Sequence, residues 1–329
     1  MILFAPKSSA ALANQVAVCL GTEMASLEER EFEDGEQKTR PLVSVRGRDV
    51  YVFQSLHGGP TESTHDKLCR LLFLLATMRE NGAARTTAIV PYLAYSRKDR
   101  QTKSRDPVTS QYIARLFEAV GTNCVVTLDV HNIVAFQNAF RCTTIHLDTR
   151  RLFCQYLLTD LSTNPLVVAS PDPGGVKRAQ LFRETLEKLS GRPIAQAFIE
   201  KRRSGGVVSG DLLVGDVKDS LVLVIDDLIA SGGTMARAAR ASLEQGAKEV
   251  IAVAAHGLFT GDAQKTLAAA PLLRTIVSDT VPPFRLDPIF VEQHIEIVSA
   301  APLFAEAIKR LHFGGSISEL LEGCVGCNG

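Results

Sequence analysis

No stretch of this sequence is apolar for long enough to cross a membrane as a helix. The longest apolar segment, Leu68 to Met78, is broken by Arg70, and falls short of the roughly 18–20 residues that a span requires. Net charge is also missing, because 36 basic and 36 acidic residues cancel. A neutral chain exerts no long-range pull on nucleic acid or an anionic membrane. Any anion site must therefore be built locally. A disulfide framework is absent too. The cysteines (Cys19, Cys69, Cys124, Cys142, Cys154, Cys324 and Cys327) are odd in number and scattered, which suits reduced thiols in a reducing compartment. Cys324 and Cys327 have ligand-like spacing but no second pair, and they lie in a Gly-rich tail that reads as a frayed terminus. No basic leader opens the chain, so Met1 to Pro6 reads as a first strand rather than a signal peptide. No short-period repeat is visible. These absences predict a cytoplasmic globular protein with neither nucleic acid nor membrane as partner.

What is present is an alternation of strands and helices. The 329 residues suffice for about two domains. Apolar runs predict strands at 2–5, 50–54, 86–91, 124–129, 166–170, 194–199, 221–225, 250–255 and 273–277. Helical periodicity appears at 11–20, 64–80, 108–120, 150–158, 175–189, 234–245, 261–269 and 303–312. Such alternation implies parallel sheets flanked by helices. Both halves share the style of apolar strand, charged loop and amphipathic helix. The expected division is an N-terminal domain over 1–148, a C-terminal domain over 149–322 and a tail over 323–329. Ligands of such sheets sit beyond the carboxyl ends of the strands.

The most informative segment runs from Leu221 to Thr234. Five apolar residues read as a buried parallel strand, and Asp226 and Asp227 are expected where that strand ends. Ala230, Ser231, Gly232, Gly233 and Thr234 form a small-residue loop before a helix. Glycines permit backbone conformations in which successive N–H groups cradle a phosphate, and the helix start adds unpaired N–H groups and a positive dipole end. The two acids repel phosphate, so they should face sugar hydroxyls or a metal. An acidic N-cap on an ordinary βα turn is the plainer reading of any one of these features. In combination they describe a site for a ribose phosphate.

Five further groups carry chemistry. Phe32-Glu33-Asp34-Gly35-Glu36 is a glycine flanked by acids, which also suits an exposed turn. Residues 91–107 open at a strand end and hold five cations between 97 and 105 (Arg97, Lys98, Arg100, Lys103 and Arg105), a density suited to a polyphosphate. Asp129-Val130-His131-Asn132 lies at another strand end, where the histidine could meet metal or phosphate. Ser170 to Gly175 is a strand-end acid, Asp172, before a Gly-Gly helix entry. Glu200 to Gly206 places Lys201, Arg202 and Arg203 beside glycines, as a charge-delivering arm or a hairpin rim.

In this order and spacing the groups, with Gln54-Ser55 and Gly215-Asp216-Val217, resemble the ribose-phosphate diphosphokinases, also called phosphoribosyl diphosphate synthetases, over the chain up to about Glu322. The resemblance implies two similar phosphoribosyltransferase-like α/β domains, each a mainly parallel sheet flanked by helices, the type I phosphoribosyltransferase fold. It implies ATP and ribose 5-phosphate as substrates and Mg²⁺ as cofactor. Phe32, Asp34, Gly35, Glu36, Arg97, Lys98 and Asp99 would bind ATP, with Phe32 stacking on adenine. His131 and Asp172 would contact the metal. Lys201 and Arg203, with His131, would be catalytic. Arg203, Asp226, Asp227, Ala230, Ser231, Gly232, Gly233 and Thr234 would bind ribose 5-phosphate. The family also implies a homo-oligomer, dimers assembling into a hexamer, with regulatory positions matching Arg46, Asp49, Ser316 and Ser318. The chain departs from the usual pattern at Ala230, where an acid is usual, and at Lys98, where glutamine is usual. A type I phosphoribosyltransferase would use residues 226–234 but leave Phe32–Glu36 and Arg97–His131 idle. A catalytically silent regulatory homologue should lack the cations and metal contacts that are present here.

Overall fold

The computed structural model describes residues 1–159, 164–204 and 207–322, and within 201–211 it describes the backbone alone. The chain forms two compact units: Met1–Asp148 together with Ala300–Gly329, and Thr149–Ser299.

In the first unit, β1 (Ile2–Phe4), β4 (Asp49–Phe53), β5 (Arg85–Val90), β6 (Cys124–Leu128) and β7 (Thr143–Leu147) form one parallel sheet in the order β1-β4-β5-β6-β7. Between β1 and β4 lie α1 (Ala10–Leu20) and a separate two-stranded hairpin, β2 (Leu27–Glu31) and β3 (Gln37–Pro41). Helices α2 (Thr64–Glu80), α3 (Thr109–Ala119) and α4 (Ile133–Ala139) complete the order up to β7. Helix α2 starts at a reciprocal cap: Asp66 N–H donates to Ser63 Oγ at 3.2 Å and Ser63 N–H to Asp66 Oδ2 at 2.7 Å. Its Leu71, Leu74, Leu75 and Met78 are buried against Phe4, Val50 and Val52 of the sheet.

The second unit holds α5 (Arg150–Leu158), β8 (Leu166–Ser170), α6 (Val176–Ser190), β9 (Ala195–Ser204), β10 (Val207–Val214), β11 (Leu221–Ile229), α7 (Gly233–Glu244), β12 (Glu249–Gly257), α8 (Ala263–Ala268), β13 (Arg274–Ser278), α9 (Pro288–His294) and β14 (Ile295–Val298). Its seven strands run β10-β9-β8-β11-β12-β13-β14, all neighbours parallel except the β9–β10 hairpin. Successive side chains of a strand leave on opposite faces. Leu221, Leu223 and Ile225 accordingly join Phe153 and Phe182 in one core, while Val222 and Val224 join Met235 and Ala238 in the other. A sheet covered on both faces needs such unbroken apolar strands.

The chain passes from one unit to the other after Asp148, and the second unit does not run to residue 322. The second unit ends at Ser299, and α10 (Ala301–Phe313) with α11 (Ile317–Glu322) belongs to the first. The reason is coverage. Phe304 of α10 meets Phe53 edge-on, ring centroids 5.6 Å apart, and Ala305, Ala307 and Ile308 are buried with it. The first sheet thus gains a cover that its own segment does not supply. Strands β2, β3, β7, β10 and β14 and helices α4, α9 and α11 are the elements that periodicity missed. Charged strands such as Leu27-Glu28-Glu29-Arg30-Glu31 carry no apolar alternation to read. The proposed tail, 323–329, lies outside the described residues.

Candidate functional site

Strand β11 continues past its apolar run to Ile229, so Asp226 and Asp227 lie within the strand rather than at its end. Its pairing with β8 stops at Val224↔Ala169, whereas pairing with β12 continues to Ile229↔Gly257. The acids therefore stand where one neighbouring strand has ended and the other supports the chain. Arg178, from the first turn of α6, places Nη1 at 3.5 Å from Asp226 Oδ1 and 3.3 Å from Asp227 Oδ1. One guanidinium thus faces two carboxylates. Burial, then the charge of Asp227 and its hydrogen bond, push the Asp226 carboxyl up to about 8, with Arg178 opposing. The two carboxyls therefore titrate as a coupled pair, and burial with mutual repulsion favours the neutral form of Asp226. Sequence reasoning missed Arg178. Its only signal was its place six residues beyond Asp172, just inside a Gly-Gly helix entry.

The loop after the strand has the form that phosphate binding demands. Gly232 is the N-cap of α7, with φ 77° and ψ −10°, a left-handed conformation that costs residues with a Cβ. A Cβ there would also stand 3.0 Å from Leu267 Cδ2 and Cγ. No acidic residue occupies the first turn of α7, leaving its positive end available to an anion. Arg237, one residue past that turn, reaches back to it, Nη2 donating to Thr234 Oγ1 at 3.4 Å. The back of the loop is braced by main-chain bonds. Thr260 N–H donates to Ala230 O at 2.8 Å, and Leu258 and Phe259 N–H donate to Ile229 O at 2.9 and 3.1 Å.

Asp172 closes a tight turn at the end of β8. Its Oδ1 accepts from Gly175 N–H at 3.0 Å, and Ser170 Oγ donates to Asp172 O at 2.6 Å. A Cβ at Gly175 would meet Ser170 Oγ at 2.6 Å, so the turn admits only glycine there without rearrangement. Lys201 and Arg203 lie on β9 opposite Asp211 and Val208 of β10. The arm is therefore the end of a hairpin. Its side chains, and Gly205 and Gly206 altogether, lie outside the described residues.

In the first unit the candidates are dispersed. Phe32, Glu33, Asp34, Gly35 and Glu36 form the tip of the β2–β3 hairpin. Glu36 N–H donates to Asp34 Oδ1 at 3.1 Å and Phe32 N–H to Glu36 O at 2.8 Å. Phe32 is 39% exposed, with the Arg30 guanidinium 4.9 Å from its ring centroid. An exposed aromatic face with a cation on it suits a nucleobase. Arg97 is exposed. Lys98 is not a free cation, because its Nζ lies 2.5 Å from Asp106 Oδ2. Asp106 also accepts from Thr102 Oγ1 at 2.7 Å and from the Lys103 N–H at 3.0 Å. The hydrogen bond from Lys98, followed by those from Thr102 and Lys103, holds its carboxyl well below the usual range. Of the five cations between 97 and 105, then, one serves to fold the loop. Asp99 accepts from Asn132 Nδ2 at 2.6 Å, and Asn132 Oδ1 caps α4 through Val134 and Ala135 N–H at 3.1 and 3.2 Å. This ties the basic loop to the Asp129–Asn132 strand end. Asp129 has φ 38°, and His131 is exposed.

Asp49, a position expected to be regulatory, is engaged within the unit. Arg85 donates to it at 2.8 and 2.5 Å, Tyr51 at 2.9 Å, and His312 Nδ1 lies 2.7 Å away. Burial raises its carboxyl, but these partners outweigh burial and hold it below the usual range.

Among the described residues no three His, Cys, Asp or Glu side chains gather into a group that could hold a metal. The donor chemistry at Asp172 nevertheless fits Mg²⁺. Such an ion takes hard oxygen ligands, keeps waters and binds one or two carboxylates plus substrate phosphates. Asp172 is the better match of the two expected contacts, since imidazole nitrogen, as at His131, suits softer ions. Among the described residues no helix is long and apolar enough to cross a membrane, and Cys19, Cys69, Cys124, Cys142 and Cys154 are free thiols.

Comparison with known proteins agrees over nearly the whole chain. Residues 1–121 match the family model of the N-terminal domain of ribose phosphate pyrophosphokinase, and residues 210–322 match that of the phosphoribosyl synthetase-associated domain. The chain is 37% identical over 319 residues to a ribose-phosphate pyrophosphokinase of Caldanaerobacter subterraneus subsp. tengcongensis, covering 97% of this chain and 96% of the relative. It is 33% identical over 321 residues to ribose-phosphate pyrophosphokinase 2 of Schizosaccharomyces pombe, covering 97% and 96%. The crystal structure of phosphoribosylpyrophosphate synthetase from Mycobacterium smegmatis superposes with a TM-score of 0.85 at 32% identity, covering 95% of this chain and 99% of that one.

Proposed function

The chain belongs to the ribose-phosphate pyrophosphokinase family, and on that premise we propose that it transfers the β,γ-diphosphoryl group of ATP to the C1 hydroxyl of ribose 5-phosphate. The C1 oxygen bonds to the β-phosphorus, the bond from that phosphorus to the α,β-bridging oxygen breaks so that AMP leaves, and the proton of the C1 hydroxyl is released. The products are phosphoribosyl diphosphate and AMP. The observation that carries this reading is the β11–α7 turn. A left-handed Gly232 and an acid-free helix start lie a few residues beyond a carboxyl pair, which are the parts that a 5-phosphate and a ribose diol require.

Transfer of this kind needs positioning and neutralised charge more than covalent help. The N–H groups from Ser231 to Thr234, with Gly233 and Arg237, hold the 5-phosphate. Asp226 and Asp227 hold the sugar hydroxyls. A protonated Asp226 can donate where an ionised Asp227 can only accept, so the pair can grip both lone pairs and protons of a diol. Arg178 faces both carboxyls. Phe32 to Glu36, Arg97 and Asp99 bind the nucleotide, and Lys98 supports the basic loop through Asp106. Lys201 and Arg203 supply positive charge to the transferring group, with His131 at the nucleotide phosphates. Mg²⁺ is the fitting cofactor, with Asp172 its principal protein contact, and it would neutralise phosphate charge. A homo-oligomer of dimers forming a hexamer, and a cytoplasmic setting, follow from the same family reading.

The test is direct. Protein, ATP, ribose 5-phosphate and Mg²⁺ should yield AMP and a diphosphorylated sugar without a nucleobase. Turnover that requires a nucleobase would favour a phosphoribosyltransferase, and no turnover would favour a silent homologue.

A further inference from the structure

Beyond the packing of Leu27 on the first core, the hairpin that carries the proposed nucleotide turn has few apolar anchors. Strands β2 and β3 pair only with each other, and all their residues are half-buried or exposed. An isolated two-stranded hairpin is at best marginal in water. Its ion pairs from Glu28 to Lys38 and Arg40 stay within the hairpin and fix nothing outside it. Something else must fix where Phe32 to Glu36 stand.

That fixture is Arg70. It sits in α2, which is capped at Ser63 and anchored by buried leucines on either side of it, and it is only 9% exposed. Its Nε donates to Gln37 Oε1 at 2.9 Å. Its Nη1 bonds Glu62 and lies 3.6 Å from Glu29 Oε2. Gln37 is the first residue of β3, immediately after the turn, and Glu29 lies on β2. Glu29 Oε1 also accepts the Lys7 main-chain N–H at 2.9 Å, beyond the end of β1. One planar guanidinium therefore grips both strands of the hairpin and the approach to the helix that supports it. Such a fork fixes direction as well as distance. Burial makes the arrangement costly to break, because removing Arg70 would leave the carboxylate of Glu62 and the amide oxygen of Gln37 without this partner and Glu29 with only the Lys7 N–H. The sequence marked Arg70 only as an interruption in an apolar run.

We propose that Arg70 is the positioning residue of the nucleotide turn. By holding Gln37 and Glu29 against α2 it sets the placement of Phe32 to Glu36, and through it the affinity for ATP. The inference rests on the nucleotide assignment made above, and the experiment separates the two. Steady-state kinetics would be measured for Arg70→Met, Arg70→Lys, Gln37→Leu and, as the direct probe of the turn, Phe32→Ala. Arg70→Met should raise KM for ATP about tenfold, the equivalent of one charge-assisted hydrogen bond, while KM for ribose 5-phosphate stays at the wild-type value and kcat within about threefold. Arg70→Lys keeps the charge without the fork and should recover part of the loss. Gln37→Leu removes one neutral-acceptor bond on a half-buried strand and should raise KM for ATP about threefold. It carries the test if Arg70→Met fails to fold. If Phe32→Ala raises KM for ATP but Arg70→Met and Gln37→Leu do not, Arg70 positions nothing and the inference is wrong. If Phe32→Ala also leaves KM for ATP unchanged, the nucleotide assignment itself fails and the role of Arg70 falls with it. An equal rise in both KM values would mark Arg70 as a general structural residue and overturn the proposal.

Discussion

The two units hold their proposed substrates in different ways. In the second, strand, carboxyl pair, phosphate loop and helix follow one another from Leu221 to Glu244, and a single βα unit carries most of the site. In the first, the nucleotide residues come from the tip of a separate hairpin, a basic loop after β5 and the end of β6. The contiguous site owes its shape to backbone: a left-handed glycine, a helix start and three main-chain bonds from residues 258–260. The dispersed site owes its shape to side chains, with Arg70 holding the hairpin, Asp106 folding the basic loop, and Asn132 joining Asp99 to α4. A backbone-built site should fail on changes of conformation. A side-chain-built site should fail by degrees as individual contacts are removed.

Lys201→Ala gives the largest expected effect and tests whether charge delivery is separate from both binding sites. Losing one electrostatic donor to a developing charge typically costs on the order of 10²–10³ in rate. That loss should appear in kcat, with both KM values little changed. Near wild-type kcat would remove Lys201 from the machinery.

Gly232→Ala attacks the backbone-built site. The substitution forces a Cβ into a left-handed residue, costing about 1–2 kcal/mol, and against Leu267 at 3.0 Å. KM for ribose 5-phosphate should rise about tenfold or more while KM for ATP holds. Parallel rises in both would show that the two sites are not independently built, and the contrast drawn above would be lost.

Asp226→Asn sharpens the same region through pH. Because the folded carboxyl is raised to about 8 from an ordinary value of 3.8, the folded state binds the extra proton between those values. Stability should therefore be fully present below about pH 4, decline as pH rises, and level off above about pH 8. In Asp226→Asn that slope should flatten, as read by denaturant unfolding at several pH values. An unchanged slope would assign the titration to other groups.

Asp106→Asn should have the smallest effect. It loosens the basic loop by weakening its hold on Lys98 and on the Thr102 and Lys103 amides. These contacts are near the surface and individually weak. KM for ATP should change by about two- to threefold and KM for ribose 5-phosphate not at all. A tenfold change would mean that Lys98 and Asp106 act on the nucleotide directly.

What could be read in advance follows the same division. Nine strands and eight helices were legible because their apolar residues repeat at the period of the element that buries them. The 226–234 turn was legible as a candidate phosphate site because its glycines, hydroxyls and acids are neighbours in sequence. Lys201 and Arg203 were legible as cations beside glycines, and as a hairpin rim, though not as partners of Asp211 and Val208 across a ladder. The β2–β3 hairpin was not legible, since Glu, Arg, Lys and Gln in succession carry no period.

The sequence by itself determined the parallel α/β architecture and the residue types that positions 226–234 bring to one turn. Those are set by local periodicity and by the backbone freedom of single residues. Tertiary structure alone decided that α10 returns to cover the first sheet, that Arg178 faces the two aspartates, that Lys98 is spent on Asp106, and that Arg70 clamps the hairpin. Each of these depends on which charges are buried together and which apolar faces remain uncovered once the chain has folded. Burial, far more than sequence spacing, fixes the energy of a charge and the need to cover an apolar face.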